Sequence, residues 1–511
     1  MKHVDIASLG VLEKAGQVVM PRLDFRESDA LTLAKTLVNE YKVGGFIVFG
    51  GNKDSLKEAT RELNSISEIS LFFGIDAERG VGQIVSGGAL FPFTMSLGAA
   101  DDEELVHEEA QFIAQEMKEC GLNLIFAPVL DVNTNPRNPI INIRSYGDDP
   151  ELVSRLGAAF ICGVQDAGAL ACGKHFPGHG GTGVDSHEDM PVQDISFEQL
   201  ESCNLVPFKR AIDSGVAAIM TAHVAFPRIG DGNIPATISG GIVNGILRNK
   251  LRYKGLVITD SFHMSGINNI GGEADNSHLA LDAGCDIVLD PRNPYSLLGR
   301  LNDMALTGEL NENTLNSSVS RIIAVKNARM MNPAPQTPVD AKGSSALIER
   351  ISRSSVCVLK GGKLRSRKAF ICVFDVTQSG EDISSGFTSC LAKAGIDFKT
   401  AHVDFTANLS GLIDHSSYCD ALICLIYTTV GAWKKKYDLP EFLRSVLNEL
   451  AALHVEKVLI SLGSPYVVSG FNVFDTVICA FDSLYACQIA AAEVLLGDSS
   501  AKGTMPVVIG F

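Results

Sequence analysis

The run LACG at residues 170–173 passes without a break into KHFPGHG at 174–180. An unbroken apolar stretch that ends at once in charge, histidine and glycine is the mark of a strand buried on both faces and terminated by a loop. The pattern recurs along the first two-thirds of the chain. Gly45–Phe49, Leu71–Ile75, Leu122–Ala127, Ala217–Met220, Leu256–Thr259 and Asp286–Leu289 each give way to glycine or polar residues and then to a helical pattern. The segments between are long enough for crossover helices. In Glu103–Cys120, Leu105, Phe112, Ile113 and Met117 sit at roughly helical spacing, and Glu198–Ser214 is a second case. With an eighth strand around Gln17–Met20, these units predict an α/β fold, a (β/α)8 TIM-type barrel; a doubly wound open sheet fits the count alone.

The character changes after Met331. Asn332–Asp340 holds three prolines in nine residues and reads as a linker. Beyond it a second set of apolar runs appears at Ser355–Leu359, Ala369–Val373, Ala421–Tyr427, Lys457–Leu462, Thr476–Ala480 and Pro506–Ile509, with helices around Ala451 and over Ala490–Leu496. The expected organisation is a catalytic barrel over 1–331, a linker over 332–345 and a smaller αβα open-sheet sandwich over 346–511.

Composition narrows the function. At 46% hydrophobic and 20% charged residues the chain can bury large cores, and its net charge of -16 argues against a nucleic-acid partner. No apolar run is long enough to span a bilayer, so no membrane partner is expected. The twelve cysteines are scattered without a C-x-x-C pair and read as reduced, mostly buried thiols. The start, Met1-Lys2-His3-Val4-Asp5, lacks a secretory n-region and apolar core, so the expected location is the cytoplasm. The oligomeric state is not legible.

In a barrel the reactive groups gather where strands end. Asp76 and Glu78 follow Leu71–Ile75, and Asp131 follows Leu122–Ala127 with Arg144 on the same connection. Lys174, His175 and His179 follow Leu170–Gly173, His223 follows Ala217–Met220, and Asp260 follows Leu256–Thr259 directly. A carboxylate held at the tip of a buried strand can attack an anomeric carbon and leave again; it can equally cap the helix that follows. The loop after Lys174 carries Pro177, Gly178, Gly180, Gly181 and Gly183 and ends in Asp185-Ser186-His187. Asp185 can orient the His187 imidazole one residue away and stabilise its protonated form, and a mobile loop can carry the pair over a substrate. Three histidines and an aspartate could instead bind a metal, but no H-x-H or H-E-x-x-H spacing is present. Asp76, Arg144, Lys174 and His175 have the chemistry of sugar ligands; Asp76 and Arg144 could also form a structural ion pair. Glu78, Asp131 and His223 read as ligands or as supports behind them, and His179 as a support of its loop.

The segments KHFPGHGGTGVDSH (174–187), FAPVLDVNTNP (126–136), NIRSYGDDP (142–150), MTAHVAFP (220–227) and VITDSFHM (257–264) resemble family 3 glycoside hydrolases, in particular their bacterial β-N-acetylglucosaminidase branch. The first is the most specific, similar to K-H-F-P-G-H-G-x4-D-S-H at every defined position. The resemblance covers about residues 10–330. More loosely, the tail resembles the sandwich that follows the barrel in longer members, with GTMPVVI (503–509) as the closing strand. It implies hydrolysis with retention and without metal or other cofactor. Asp260 would be the nucleophile and His187 with Asp185 the acid/base dyad. Asp76, Arg144, Lys174 and His175 would bind a terminal GlcNAc on a small carbohydrate substrate, a muropeptide or a chitooligosaccharide. Two positions depart from the common pattern: Val81 stands where many members carry arginine, and Ser261 where a second aspartate often follows the nucleophile. A phosphorylase using the same site, a β-glucosidase, a metal hydrolase and a non-catalytic sugar-binding protein are the rival readings.

Overall fold

The computed structural model describes residues 4–184, 190–330, 341–377, 382–404, 407, 409–417, 419–430 and 438–510. It divides into two compact units. The first comprises Met1–Leu90, Glu103–Val132 and Val153–Ala341; the second comprises Phe91–Asp102, Asn133–Leu152 and Lys342–Phe511. Residues 331–340, where most of the expected linker falls, lie outside the described residues, and a helix begins at Ala341.

The first unit is a parallel (β/α)8-type barrel. Its strands are β1 (Val19–Met20), β2 (Arg22–Asp24), β3 (Gly45–Phe49), β4 (Phe72–Ile75), β5 (Leu124–Ile125), β6 (Leu170–Phe176), β7 (Ala218–Thr221), β8 (Leu256–Ser261) and β9 (Ile287–Leu289). They pair in the order β1-β9-β8-β7-β6-β5-β4-β3-β2. β1 and β2 are one strand interrupted at Pro21, whose ring nitrogen has no proton to donate. The upstream half pairs with β9 and the downstream half with β3, so this strand closes the sheet. β3, β4, β6, β7 and β9 are buried along nearly their whole length, which is why they read as unbroken apolar runs.

Crossover helices follow from local sequence. In Glu103–Glu119 the residues Leu105, Val106, Ala110, Ile113, Ala114 and Met117 form the buried stripe. Glu103 and Glu104 open the helix and Lys118 lies in its last turn, the charge order the helix dipole favours. Gly121 ends the segment at φ +79°, and a Cβ there would lie 2.1 Å from the Thr60 hydroxyl. The expected helix over Glu198–Ser214 is present as a continuous helical stretch that widens at Leu200–Asn204.

The second unit is a doubly wound sheet of β10 (Cys357–Lys360), β11 (Lys368–Asp375), β12 (Asp397–His402), β13 (Ala421–Tyr427), β14 (Glu456–Ser461) and β15 (Thr476–Cys479). Their order is β10-β15-β14-β13-β11-β12, parallel except for β10 against β15. Alternate residues feed two cores: Phe370, Cys372 and Phe374 on one face, Ala369, Ile371 and Val373 on the other. The first core also takes Phe93, Met95, Ala99 and Ile143. Two expectations are corrected here. Pro506–Ile509 is not a strand: it runs as irregular chain beside Asp148, whose amide donates to Pro506 O at 3.1 Å and whose carboxylate accepts from Val508 N at 2.7 Å. A strand absent from the sequence reading, β12, lies at the sheet edge with mostly exposed side chains, so no apolar run announces it. All twelve cysteines are free, and all but Cys162, Cys203 and Cys390 are buried. No helix of the described residues is long and apolar enough to cross a membrane.

At the N-terminal ends of the strands, buried Lys326 ties the last helix of the first unit to the barrel. Its Nζ donates to Gln17 Oε1 at 2.7 Å and to Gly44 O at 2.8 Å, and sits 4.8 Å over the Phe72 ring. Burial drives its pKa well below the usual lysine value of 10.5. The unfolded chain therefore binds more protons between the folded value and 10.5, and stability climbs as pH rises through that interval. Lys326→Met, which leaves both acceptors unpaired, is expected to cost about 1–3 kcal/mol and to flatten the climb. Urea denaturation midpoints between pH 7 and 9.5 for both proteins check it; parallel pH profiles would contradict it.

Candidate active site

The C-terminal end of β6 delivers Lys174 and His175. The pairing of β6 with β7 slips between Gly173–Ile219 and Phe176–Thr221, so β6 carries one residue more than its neighbour where these two side chains leave the strand. Lys174 is almost fully buried. Its Nζ meets Asp76 Oδ1 at 2.7 Å and Glu78 Oε1 at 2.6 Å. Both acids sit in the loop after β4, Glu78 buried and Asp76 one-third exposed. Two carboxylates around one ammonium leave Asp76 as a partly open acceptor, suited to the hydroxyls of a sugar.

Asp131 is the hidden support of this corner. It is fully buried after β5, and its Oδ2 accepts from His175 Nδ1 at 2.7 Å. Its Oδ1 accepts from the His179 amide at 2.6 Å and from the His175 amide at 3.3 Å. Burial opposes ionisation of Asp131, but the charge and hydrogen bond of His175 outweigh it and hold the carboxyl below its usual range. The His175 proton is thus fixed on Nδ1. His179 is likewise buried. The Thr182 hydroxyl donates to His179 O at 3.0 Å, so it accepts from His179 Nδ1 at 2.8 Å. Burial, then the neighbouring His175, push the His179 pKa down to about 4, leaving a neutral ring that braces the loop.

Asp260 lies near the end of β8, partly exposed. The β8–β9 pairing also slips, between Ile258–Ile287 and Ser261–Leu289, again by one extra residue, here on the strand that carries Asp260. Asp260 Oδ1 accepts from Ser261 N at 2.8 Å. Burial pushes the Cys172 thiol up, with the charges of Lys174, Asp76 and Asp260 as smaller influences. His223 is fully buried rather than open to a substrate. Its Nε2 faces Ser261 O at 3.2 Å, which can only accept, so Nε2 carries a proton, and Nδ1 lies 2.8 Å from Thr237 Oγ1.

Arg144 belongs to the second unit, on a loop stapled by Asn133. Asn133 Oδ1 accepts from Asn142 N at 3.2 Å, and its Nδ2 donates to Tyr466 Oη at 2.8 Å. Arg144 Nη1 donates to Ile140 O at 2.7 Å. Asp185 and His187 lie outside the described residues, so the expected dyad rests on the sequence. The sequence reading passed over Asp290. It follows Leu289 of β9 directly, so the strand-end rule that selects Asp260 selects it too, and it proves to be a buried anchor for Ser261. Among the described residues no three His, Cys, Asp or Glu side chains come together as a metal would require.

Residues 11–325 match the family model described as Glycosyl hydrolase family 3 N terminal domain. The solved structure of a glycoside hydrolase family 3 beta-N-acetylglucosaminidase from Paenibacillus sp. str. FPU-7 superposes with a TM-score of 0.86 at 30% identity, covering 98% of this chain and 99% of that one. Beta-hexosaminidase A of Pseudoalteromonas piscicida is 27% identical over 93% of this chain and 90% of its own length. A beta-hexosaminidase of Thiobacillus denitrificans is 37% identical over 49% of this chain and 72% of its own length.

Asp131→Ala removes one partner of a buried pair and is expected to cost about 3–5 kcal/mol in chemical denaturation; a loss under 1 kcal/mol would contradict the role given to it. His179 titrates lower folded than unfolded, so the unfolded chain takes up more protons and stability drains away as pH falls from 6.5 towards 4. The loss from this group reaches up to about 3 kcal/mol. His179→Asn should remove most of that dependence, read from denaturation midpoints at pH 7.5 and 4.5.

Proposed function

The chain belongs to glycosyl hydrolase family 3 and carries its N-terminal domain, and from that premise we propose that it is a retaining exo-β-N-acetylglucosaminidase. The observation that carries the proposal is the pairing of two features at one end of the barrel: a partly exposed Asp260 braced at the tip of β8, and the Lys174–Asp76–Glu78 cluster at the tips of β6 and β4. The first is suited to attack and the second to holding hydroxyls. Similarity to a beta-N-acetylglucosaminidase over nearly the whole chain, and to beta-hexosaminidases, supports the acetamido sugar as substrate.

In the proposed sequence an Asp260 carboxylate oxygen attacks the anomeric carbon as the glycosidic C–O bond breaks. The departing oxygen takes its proton from His187, whose cationic form Asp185 stabilises. The glycosyl ester on Asp260 is then opened by water, which gives its proton back to His187, and β-configured GlcNAc leaves. Lys174, Asp76 and His175 hold the sugar; Asp131 keeps the His175 ring in one orientation with its Nδ1 protonated. The natural substrates proposed are GlcNAc-bearing muropeptides or chitooligosaccharides.

The first test is nitrophenol release from 4-nitrophenyl N-acetyl-β-glucosaminide beside the β-glucoside, with and without phosphate and EDTA. Turnover of the acetamido sugar alone, indifferent to both additives, is expected. A strong boost from phosphate with a sugar 1-phosphate as product would move the acceptor from water to phosphate. Asp260→Ala should lower kcat by about 10^3-fold or more, and near-parental activity would remove Asp260 from its role. His187→Ala should slow substrates with poor leaving groups by on the order of 10^2–10^4-fold and activated aryl glycosides far less. Equal losses on both would exclude His187 as the acid.

A further inference from the structure

The residue that follows Asp260 is tied both to it and to a buried carboxylate on the next strand. We propose that Ser261, Asp290 and Arg22 form a positioning clamp that fixes the plane of the Asp260 carboxylate; this rests on Asp260 being the nucleophile.

Every polar atom of Ser261 is engaged. Its amide donates to Asp260 Oδ1 at 2.8 Å. Its carbonyl accepts from His223 Nε2 at 3.2 Å and from Met264 N at 3.1 Å. Its hydroxyl donates to Asp290 Oδ2 at 2.7 Å and accepts from His263 N at 3.2 Å. A hydroxyl has one proton, and here it goes to Asp290; the oxygen is thereby turned to receive the His263 amide, which closes the turn after the strand.

Asp290 is itself firmly held. It is 1% exposed, sits at φ +53°, and is gripped by Arg22 through two parallel bonds, Nε to Oδ1 at 2.9 Å and Nη2 to Oδ2 at 2.8 Å. The two-pronged guanidinium fixes the carboxylate in both distance and rotation, which a lysine would not do. Below the clamp the extra residue of β8 is bridged by Thr259, whose hydroxyl accepts from Leu289 N at 3.0 Å and donates to Asp260 O at 2.8 Å. Asp260 is therefore held at its carbonyl by Thr259 and at its carboxylate by Ser261. The Ser261 amide shares its peptide plane with the Asp260 carbonyl that Thr259 holds, and the anchored hydroxyl fixes the residue beyond that plane. A carboxylate at position 261 would face Asp290 with like charge; a hydroxyl donates to it.

Ser261→Ala removes the anchor and spares the amide, so it should let the carboxylate swing without deleting it. The experiment follows turnover of 4-nitrophenyl N-acetyl-β-glucosaminide and the rate at which a 5-fluoro N-acetylglucosaminyl fluoride labels Asp260, located by peptide mass. For Ser261→Ala we expect kcat and labelling rate to fall together by about tenfold to a hundredfold, with KM within about twofold. Ser261→Thr, which keeps the hydroxyl, should recover most of both, and Arg22→Lys should fall between. Thermal midpoints are read alongside; should Ser261→Ala fail to fold, the contrast between Arg22→Lys and Ser261→Thr carries the test. A lowered melting temperature with unchanged kcat and labelling in the folded variants would reduce the clamp to a structural element and overturn the proposal. Parent enzyme that turns over the glycoside but takes its label on a residue other than Asp260 would overturn the nucleophile assignment and the clamp with it. Labelling at Asp260 in the parent with unchanged rates in Ser261→Ala and Arg22→Lys would overturn the clamp alone.

Discussion

A parallel sheet that curls on itself must find a strand able to pair on both sides, and in this chain that strand is broken at Pro21. Met20 O accepts from Asp290 N on one flank at 2.8 Å, and Pro21 O accepts from Ile47 N on the other at 2.9 Å. The missing amide lets the two halves turn to opposite neighbours without leaving a buried donor unpaired. The next residue is Arg22, which reaches back across the seam to the Asp290 side chain. Barrel closure and the support beneath Asp260 therefore meet at one place: the backbone of Asp290 completes the sheet while its carboxylate anchors the loop after β8.

Buried charges are distributed with a clear polarity. At the C-terminal ends of the strands Asp131, Glu78, Lys174 and Asp290 are all buried and all paired. An unpaired ion in such surroundings costs several kcal/mol, so these networks are maintained by their partners rather than by net stabilisation. The fold itself is carried by the apolar interior, with Phe46, Phe72, Phe73, Phe126 and Phe176 fully buried in the barrel. At the opposite ends of the strands buried Lys326 and Asp286 join helices to the barrel. The contrast separates charge used to shape a reactive surface from charge used as a fastener.

Much of this was legible in the chain. Strands buried on both faces cannot alternate, so β3, β4, β6, β7, β8 and β9 announced themselves, and β13 matched its apolar run from end to end. Asp76, Lys174, His175 and Asp260 are singled out in the sequence because they stand where such runs stop. Other features depend on partners distant in sequence and left no local mark. Residues 91–102 and 133–152 join the second unit through Phe93, Met95, Ala99 and Ile143, apolar residues that read equally well as barrel core. Nothing local separates Asp131 from the other acids at strand ends; its three hydrogen bonds come from residues more than forty positions away. β12 was invisible because an edge strand with an exposed face has no composition of its own, and Pro506–Ile509 misled because an apolar run can lie against a surface without joining a ladder.

The slips in β6 and β8 bear on how such a site tolerates change. Side chains along a strand alternate in direction, so one additional residue reverses the phase of everything beyond it. Up to Gly173 β6 keeps step with β7, and up to Ile258 β8 keeps step with β9; past those points each runs in the opposite phase to that neighbour, and there Lys174, His175 and Asp260 stand. Lengthening or shortening these two strand ends by a single residue would leave most of the apolar interior in place while exchanging wall for mouth. The barrel can thus survive a change that its chemistry cannot, which makes the count of residues in these two ends as binding a constraint as their identity.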